Sequence, residues 1–168
     1  MEELWLLLIL FFSFCLYYIL KNRLAIFFPS SRRMIDVVID FADIKSNDVL
    51  YDLGSGDGRI LVEAAKEGIK VVGIEKNRLL NWLARKKTRN FKNVKIIQGD
   101  IFEQKINDAS IIVAYLSQKV TERLQKKIEE EVKKGTRIIL IDHEFLNWEP
   151  VEVKKVGLIP IRLYIKGK

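Results

Sequence analysis

The residues of this chain best suited to chemistry form a short run of glycines and carboxylates. Asp52-Leu53-Gly54-Ser55-Gly56-Asp57-Gly58 sets three glycines two apart behind a leading Asp. Lacking a Cβ, Gly54, Gly56 and Gly58 let the backbone turn tightly and approach a ligand closely. A dinucleotide loop needs its third glycine one place later, where this chain has Arg59, and no Gly-Lys-Ser/Thr phosphate loop follows. A carboxylate heading the loop suits a cationic ligand better than a pyrophosphate. S-adenosylmethionine, with an ammonium and a sulfonium, has that charge. Glu75, 23 residues after Asp52, stands where an acidic side chain accepts both hydroxyls of a ribose. Asp100 in Gly99-Asp100-Ile101-Phe102 is a candidate acceptor for an adenine amino group, with Ile101 flanking the ring. Each piece alone has a plainer reading as a turn or a solvated strand end. Three together, in this order, point to a nucleoside-cofactor site.

The elements needed to position them are legible as alternating short apolar runs and amphipathic stretches. Ser30 and Ser31 suit the N-cap of a helix running to about residue 42, with Met34, Val38 and Phe41 on one face. Strands are expected at residues 49–53, 71–75, 94–97, 111–115 and 137–141, with helices at 59–67 and 79–88 between them. From 119 to 134, Val120, Leu124, Ile128 and Val132 recur every four residues, which predicts one buried stripe. Glu122–Lys126 and Glu129–Lys133 fall at the spacing of exposed ion pairs. A last pair of strands is expected around Gly157. This alternation predicts a Rossmann-like α/β fold, with a mainly parallel sheet and helices on both faces.

The chain has 168 residues, 49% hydrophobic and 30% charged, which suits one soluble domain, assigned to residues 29–168, and excludes disordered and low-complexity classes. One cysteine and one histidine exclude a disulfide framework and multi-Cys or His-rich metal sites, so no metal is expected. Residues 4–20 (LWLLLILFFSFCLYYIL) carry no charge over 17 positions, close to the shortest spanning helix of about 17 residues. Glu2 and Glu3 before the run, and the lack of a small-x-small cleavage site after it, disfavour a signal peptide. Residues 1–28 are therefore expected to be an amino-terminal membrane anchor, with a transmembrane helix over about 4–20 and a juxtamembrane segment. Cys15 inside it reads as a small hydrophobe. Lys21, Arg23, Arg32 and Arg33 follow the run, so the positive-inside rule puts the body on the cytoplasmic side of a single-pass protein. The net charge of +7 favours an anionic partner.

YDLGSGDGR, VVGIEKN and QGDIF resemble, in that order, the cofactor motifs of the seven-strand class I S-adenosylmethionine-dependent methyltransferases. The resemblance covers about residues 29–168. PSSRRMIDVVIDFADIKSNDVLYDLGSGDGRI, the AYLSQ segment and KKGTRIILIDHEFLNW are most similar to small archaeal protein-lysine methyltransferases. They resemble equally the membrane-anchored enzymes that modify the ATP synthase c subunit or the adenine nucleotide translocase. The resemblance implies S-adenosyl-L-methionine as cofactor, held by Asp52, Gly54, Ser55, Gly56, Gly58, Glu75, Lys76, Asp100 and Ile101. It also implies a lysine side chain of a protein as the acceptor.

Methyl transfer to an amine needs a neutral nitrogen in line with the methyl group, so alignment supplies most of the effect. The acceptor pocket is expected at the end of the fourth strand, beside Tyr115, Leu116, Ser117 and Gln118. The Asn/Asp-Pro-Pro-Tyr grip of many nucleic-acid amino methyltransferases is absent there, which disfavours a nucleic-acid substrate. Tyr115 offers a hydroxyl or a ring face to the amine, or else caps the core. His143 can orient substrate or take a proton, or be a structural strand-end residue. Glu144 can attract the substrate ammonium, and Phe145 and Trp148 either wall a lysine channel or pack. Three functions follow from this reading: a methyltransferase acting on a membrane-associated protein, an RNA or small-molecule methyltransferase, and a cofactor-binding scaffold.

Overall fold

The structure, a computed structural model, describes residues 2–21 and 29–168. Within the first helix, side chains are described at residues 4–14 and 17. The elements in chain order are α1 (Glu2–Lys21), α2 (Arg32–Ala42), β1 (Val49–Leu53), α3 (Arg59–Lys66), β2 (Lys70–Glu75), α4 (Arg78–Thr88), β3 (Val94–Gln98), β4 (Ile111–Ala114), α5 (Gln118–Glu131), β5 (Arg137–Ile141), β6 (Glu152–Val156) and β7 (Ile159–Ile165).

The sheet has seven strands in the order β3-β2-β1-β4-β5-β7-β6. β1 to β5 pair in parallel, β7 runs antiparallel beside β5, and β6 closes the edge as a hairpin partner of β7. The central strands are buried on both faces, which is why they read as continuous apolar runs instead of alternating ones. Side chains of alternate strand positions feed two cores. Leu50, Val71, Ile111, Val113 and Ile139 meet α2, α3 and Ala84 of α4 on one face. On the other face Leu53, Ile74, Ile112, Ile138 and Leu140 meet Leu124 and Ile128 of α5. Helices thus cover both faces unequally. Between β3 and β4 no helix forms, and Ile101, Ile106 and Ala109 of the connecting turns fill that part of the second core.

The expected elements all appear, with shifts at their ends. Ser31 caps α2, its Oγ accepting from the Met34 N–H at 3.3 Å. β4 stops at Ala114, so Tyr115 lies beyond the strand. Of the stripe, Leu124 and Ile128 on α5 and Val132 just beyond it are buried and Val120 is half-buried, but the pair on that helix is Lys127–Glu131 at 2.6 Å. Glu129 turns instead to Gln125 Nε2 and Trp148 Nε1.

Residues 4–20 lie within α1, and Leu4, Trp5, Phe11, Phe12 and Phe14 in it are each at least 62% exposed. Taken over the described residues, however, no helix is long and apolar enough to cross a membrane, so a transmembrane helix is not supported. The expected juxtamembrane positions from Asn22 to Phe28 lie outside the described residues.

Candidate cofactor and acceptor site

The strand order changes direction between β1 and β4, and the carboxyl ends of β1, β2 and β3 open there into the crevice where sheets of this kind take ligands. Asp52 sits in β1 opposite Gly73 of β2 and Val113 of β4, and it is 3% exposed. Burial pushes its carboxyl up to about 8, and the charges of Glu75 and Asp57 add to the rise.

The loop leaves β1 with Gly54, Gly56 and Gly58 all in the left-handed region. Gly54 and Ser55 donate to the Ile74 carbonyl at 2.8 and 3.1 Å, which folds the loop back over β2. Gly58 opens α3 at φ +81°, and a Cβ there would meet Ala84 Cβ at 3.0 Å and Ala84 Cα at 3.1 Å. Gly73, inside the VVGIEKN motif, is needed for closeness: a Cβ would stand 2.5 Å from Leu61 Cδ1 and 2.9 Å from Ser55 Oγ.

Glu75 ends β2, is 9% exposed, and holds two segments at once. Its Oε2 accepts from the Gly56 N–H at 3.0 Å and its Oε1 from the Asn77 N–H at 2.6 Å. Asn77 Oδ1 in turn accepts from the N–H groups of Leu79 and Leu80, capping α4. Each carboxylate oxygen retains lone pairs for a diol, so the residue can brace the loop and receive a ribose together. Asp57, inside the glycine run, does not face the crevice in the same role. Burial raises its carboxyl, but hydrogen bonds from Lys87 and Arg59 outweigh that and hold it below the usual carboxylate range. The glycine motif alone does not disclose this, because Lys87 reaches Asp57 from α4, outside it.

Asp100 follows β3 and forms an Asx turn, its Oδ1 accepting from the Phe102 N–H at 3.0 Å. That N–H, with Lys76 and Arg123 nearby, keeps the carboxyl low against the effect of burial. Lys76, itself exposed, reaches Asp100 Oδ2 at 3.1 Å, so the ends of β2 and β3 are tied across the crevice. Ile101 is buried in the second core, its side chain at the floor of this corner.

The acceptor side is the loop pair after β4 and β5. Tyr115 is half-buried against the first core, and burial followed by the charge of Asp142 raises its phenol. Leu116 stands under the glycine loop, 2.9 Å from where a Gly54 Cβ would be. Gln118 bridges the two loops, donating to the Glu144 carbonyl at 3.1 Å and accepting from the Glu144 N–H at 3.4 Å. Asp142 adopts φ +74°, a backbone state uncommon outside glycine, and is fixed by Pro160 and Arg162 on either side of its peptide units. His143 Nε2 lies 3.8 Å from Asp142 Oδ2. Glu144 does not stand free for a substrate ammonium, because Arg162 Nη2 takes its carboxylate at 2.9 Å. Phe145 and Trp148 do not line a channel: Phe145 is buried between Trp148 and Tyr164, at 5.2 and 4.9 Å between ring centroids. Asp142 and Arg162 escape sequence reasoning, the first because it looks like one more turn residue, the second because only strand pairing brings β7 to this loop.

A donor set of two buried carboxylates beside a loop of bare backbone fits a cationic nucleoside cofactor. No group of three or more His, Cys, Asp or Glu that could hold a metal occurs among the described residues. The sheet order, the antiparallel β7 and this crevice define the seven-strand, Rossmann-like methyltransferase fold. Comparison with known proteins narrows the class. Residues 52–152 match the ANTKMT methyltransferase domain, and the chain belongs to that family. A protein-lysine N-methyltransferase of Saccharolobus islandicus (strain REY15A) is 36% identical over 133 residues, 76% of this chain and 83% of that protein. The Homo sapiens lysine N-methyltransferase of the ATP synthase c subunit is 29% identical over 141 residues, 82% of this chain but 60% of that protein. Among solved structures, an RNA methyltransferase from Salinibacter ruber in complex with S-adenosyl-L-homocysteine superposes with a TM-score of 0.80 at 31% identity, covering 84% of this chain and 95% of that one.

Proposed function

We propose that this protein is an S-adenosylmethionine-dependent protein-lysine N-methyltransferase acting on a membrane or membrane-associated protein. The observation that carries the reading is the end of the sheet where buried Asp52 and Glu75 flank the glycine loop, with Glu75 accepting from the Gly56 N–H. The archaeal and human lysine methyltransferases support the choice of acceptor.

In this reading Asp52 holds the ammonium of the cofactor, Glu75 its ribose hydroxyls, and Asp100 and Ile101 its adenine. The backbone of Gly54, Ser55, Gly56 and Gly58 lies along it, and Lys76 keeps Asp100 in place. The bound cofactor supplies an electrophilic methyl group on a sulfonium. The protein presents the acceptor nitrogen, unprotonated and in line. The half-buried rim at Tyr115 disfavours an ammonium by desolvation, while the ring and hydroxyl orient the amine. His143, 3.8 Å from Asp142 Oδ2, is the residue assigned in this reading to receive the departing proton. Glu144 serves by holding the loop through Arg162.

The membrane part of the proposal rests on α1. Its described apolar residues are exposed, and residues 4–20 carry no charge over 17 positions. We assign residues 1–28 to a single-pass anchor and residues 29–168 to the catalytic domain. By the distribution of basic residues after the helix, that domain lies on the cytoplasmic side.

The test is transfer of labelled methyl from S-adenosylmethionine into a native membrane extract. A labelled band that survives nuclease, is lost to protease and yields methyl-lysine on hydrolysis is expected. Label in nucleic acid would instead favour an RNA acceptor, the reading that the Salinibacter ruber structure suggests.

A further inference from the structure

Between the end of β2 and the end of β3, residues 76–99 contain eight Lys and Arg and no Asp or Glu. Lys76 and Lys87 are engaged by Asp100 and Asp57, and Arg85 donates to Asn81 and to the Ile96 carbonyl. Arg78, Lys86, Arg89, Lys92 and Lys95 are exposed and make no ion pair among the described residues. Amid them α4 exposes Leu79 (64%) and Trp82 (54%). Positions 79, 82, 86 and 89 follow helical spacing and share one face, and Lys86 Nζ stands 5.5 Å over the Trp82 ring. Leu83, Lys86, Lys87, Arg89 and Asn90 line a shallow groove of about 470 Å³ beside this stripe.

A phosphate backbone would call for the cations, but it gives no return for an exposed leucine. A lipid interface takes both kinds of group: Leu and Trp at the acyl boundary, Lys and Arg at the headgroup phosphates. We propose that this face of α4 binds the surface of an anionic lipid bilayer. The helix begins three residues beyond Glu75 and packs Ala84 on the glycine loop, so docking it sets the rim of the crevice beside the membrane. The proposal is separable from the anchor: an apolar α1 holds the chain on any bilayer, whereas the α4 face responds to the charge of the lipid.

The experiment uses the full chain on vesicles of phosphatidylcholine carrying brominated acyl chains, with or without phosphatidylglycerol, and reads tryptophan quenching. On the anionic vesicles a quenched component is expected that disappears in Trp82→Phe, at high salt, and in the triple variant Lys86→Glu, Arg89→Glu and Lys92→Glu. Each lost charge should weaken the charge-dependent part of binding about fivefold. S-adenosylmethionine affinity of the triple variant should equal that of the unmodified chain, since none of its three sites touches the crevice. Equal Trp82 quenching on phosphatidylcholine alone, or none on either surface, would overturn the proposal. So would Trp82 fluorescence that answers to single-stranded RNA and not to anionic vesicles. Retention on phosphatidylcholine at high salt reports α1 by itself, so the anchor and the α4 face fail or succeed independently.

Discussion

Asp52 is a carboxyl held out of water with two other carboxyls close by, and its titration belongs to the chemistry of the site. Raised to about 8 from an ordinary value of 3.8, it is protonated in the apoprotein at neutral pH. A group whose folded value is raised favours the folded state at low pH, and this contribution is lost as pH rises from about 4 through 8. A cationic ligand wants the opposite, the ionised form. Cofactor affinity should therefore rise with pH, about tenfold per unit until pH 8, with proton release on binding. Asp52→Asn should bind weakly at every pH and release no proton, which calorimetry in buffers of different ionisation enthalpy would detect. Asp52, Glu75 and Asp100 are legible in the sequence because the ligand itself demands acids at three strand ends. The cations that fix the neighbouring acids Asp57 and Glu144 are not. Lys87 reaches Asp57 from α4, and Arg162 reaches Glu144 from β7, over 30 and 18 positions of chain respectively. No local pattern announces such partners.

The elements depend on a few close approaches and ties, and these carry their own predictions. Gly73 lets Leu61 and Ser55 lie on the backbone of β2. Gly73→Ala should destabilise the fold by about 1–3 kcal/mol and displace the glycine loop, lowering the unfolding midpoint and the cofactor affinity together. Arg137, at the start of β5, donates to the carbonyls of Ala42 and Asp43 at 2.6 and 2.5 Å and to Asp48 Oδ2 at 2.6 Å. It fastens the end of α2 to the sheet, far in sequence and remote from the crevice. Arg137→Ala should cost about 2–4 kcal/mol by denaturant unfolding while leaving cofactor affinity at low temperature unchanged. The extent of each strand is readable to within a few positions because buried parallel strands are plain apolar runs. The end of β4 reads one residue long, since Tyr115 has a strand former's side chain but lies past the last ladder partner. The sequence reading puts no helix between β3 and β4, and none forms: Ile101, Ile106 and Ala109 cover the sheet from turns.

At the scale of the whole molecule, the question is what holds the domain near its substrate. If α1 anchors it, charges placed on the helix should release it. Leu8→Arg with Phe12→Arg should each cost about 2.5–3.5 kcal/mol of insertion and move the protein from the carbonate-resistant membrane fraction to the supernatant, with cofactor binding intact. The eight cations of residues 76–99 have a consequence beyond the lipid surface. Of these, Lys95 lies on β3 and Lys92 just before it, and β3 ends the sheet with one side of its backbone unpaired. Such an edge is a template for a second copy of the same sheet. Two copies drawing together there would have to press Lys92 and Lys95 of each against those of the other, and neither lysine makes an ion pair among the described residues. A protein gathered at high density on a membrane would thereby be kept from polymerising through its sheets, by repulsion alone.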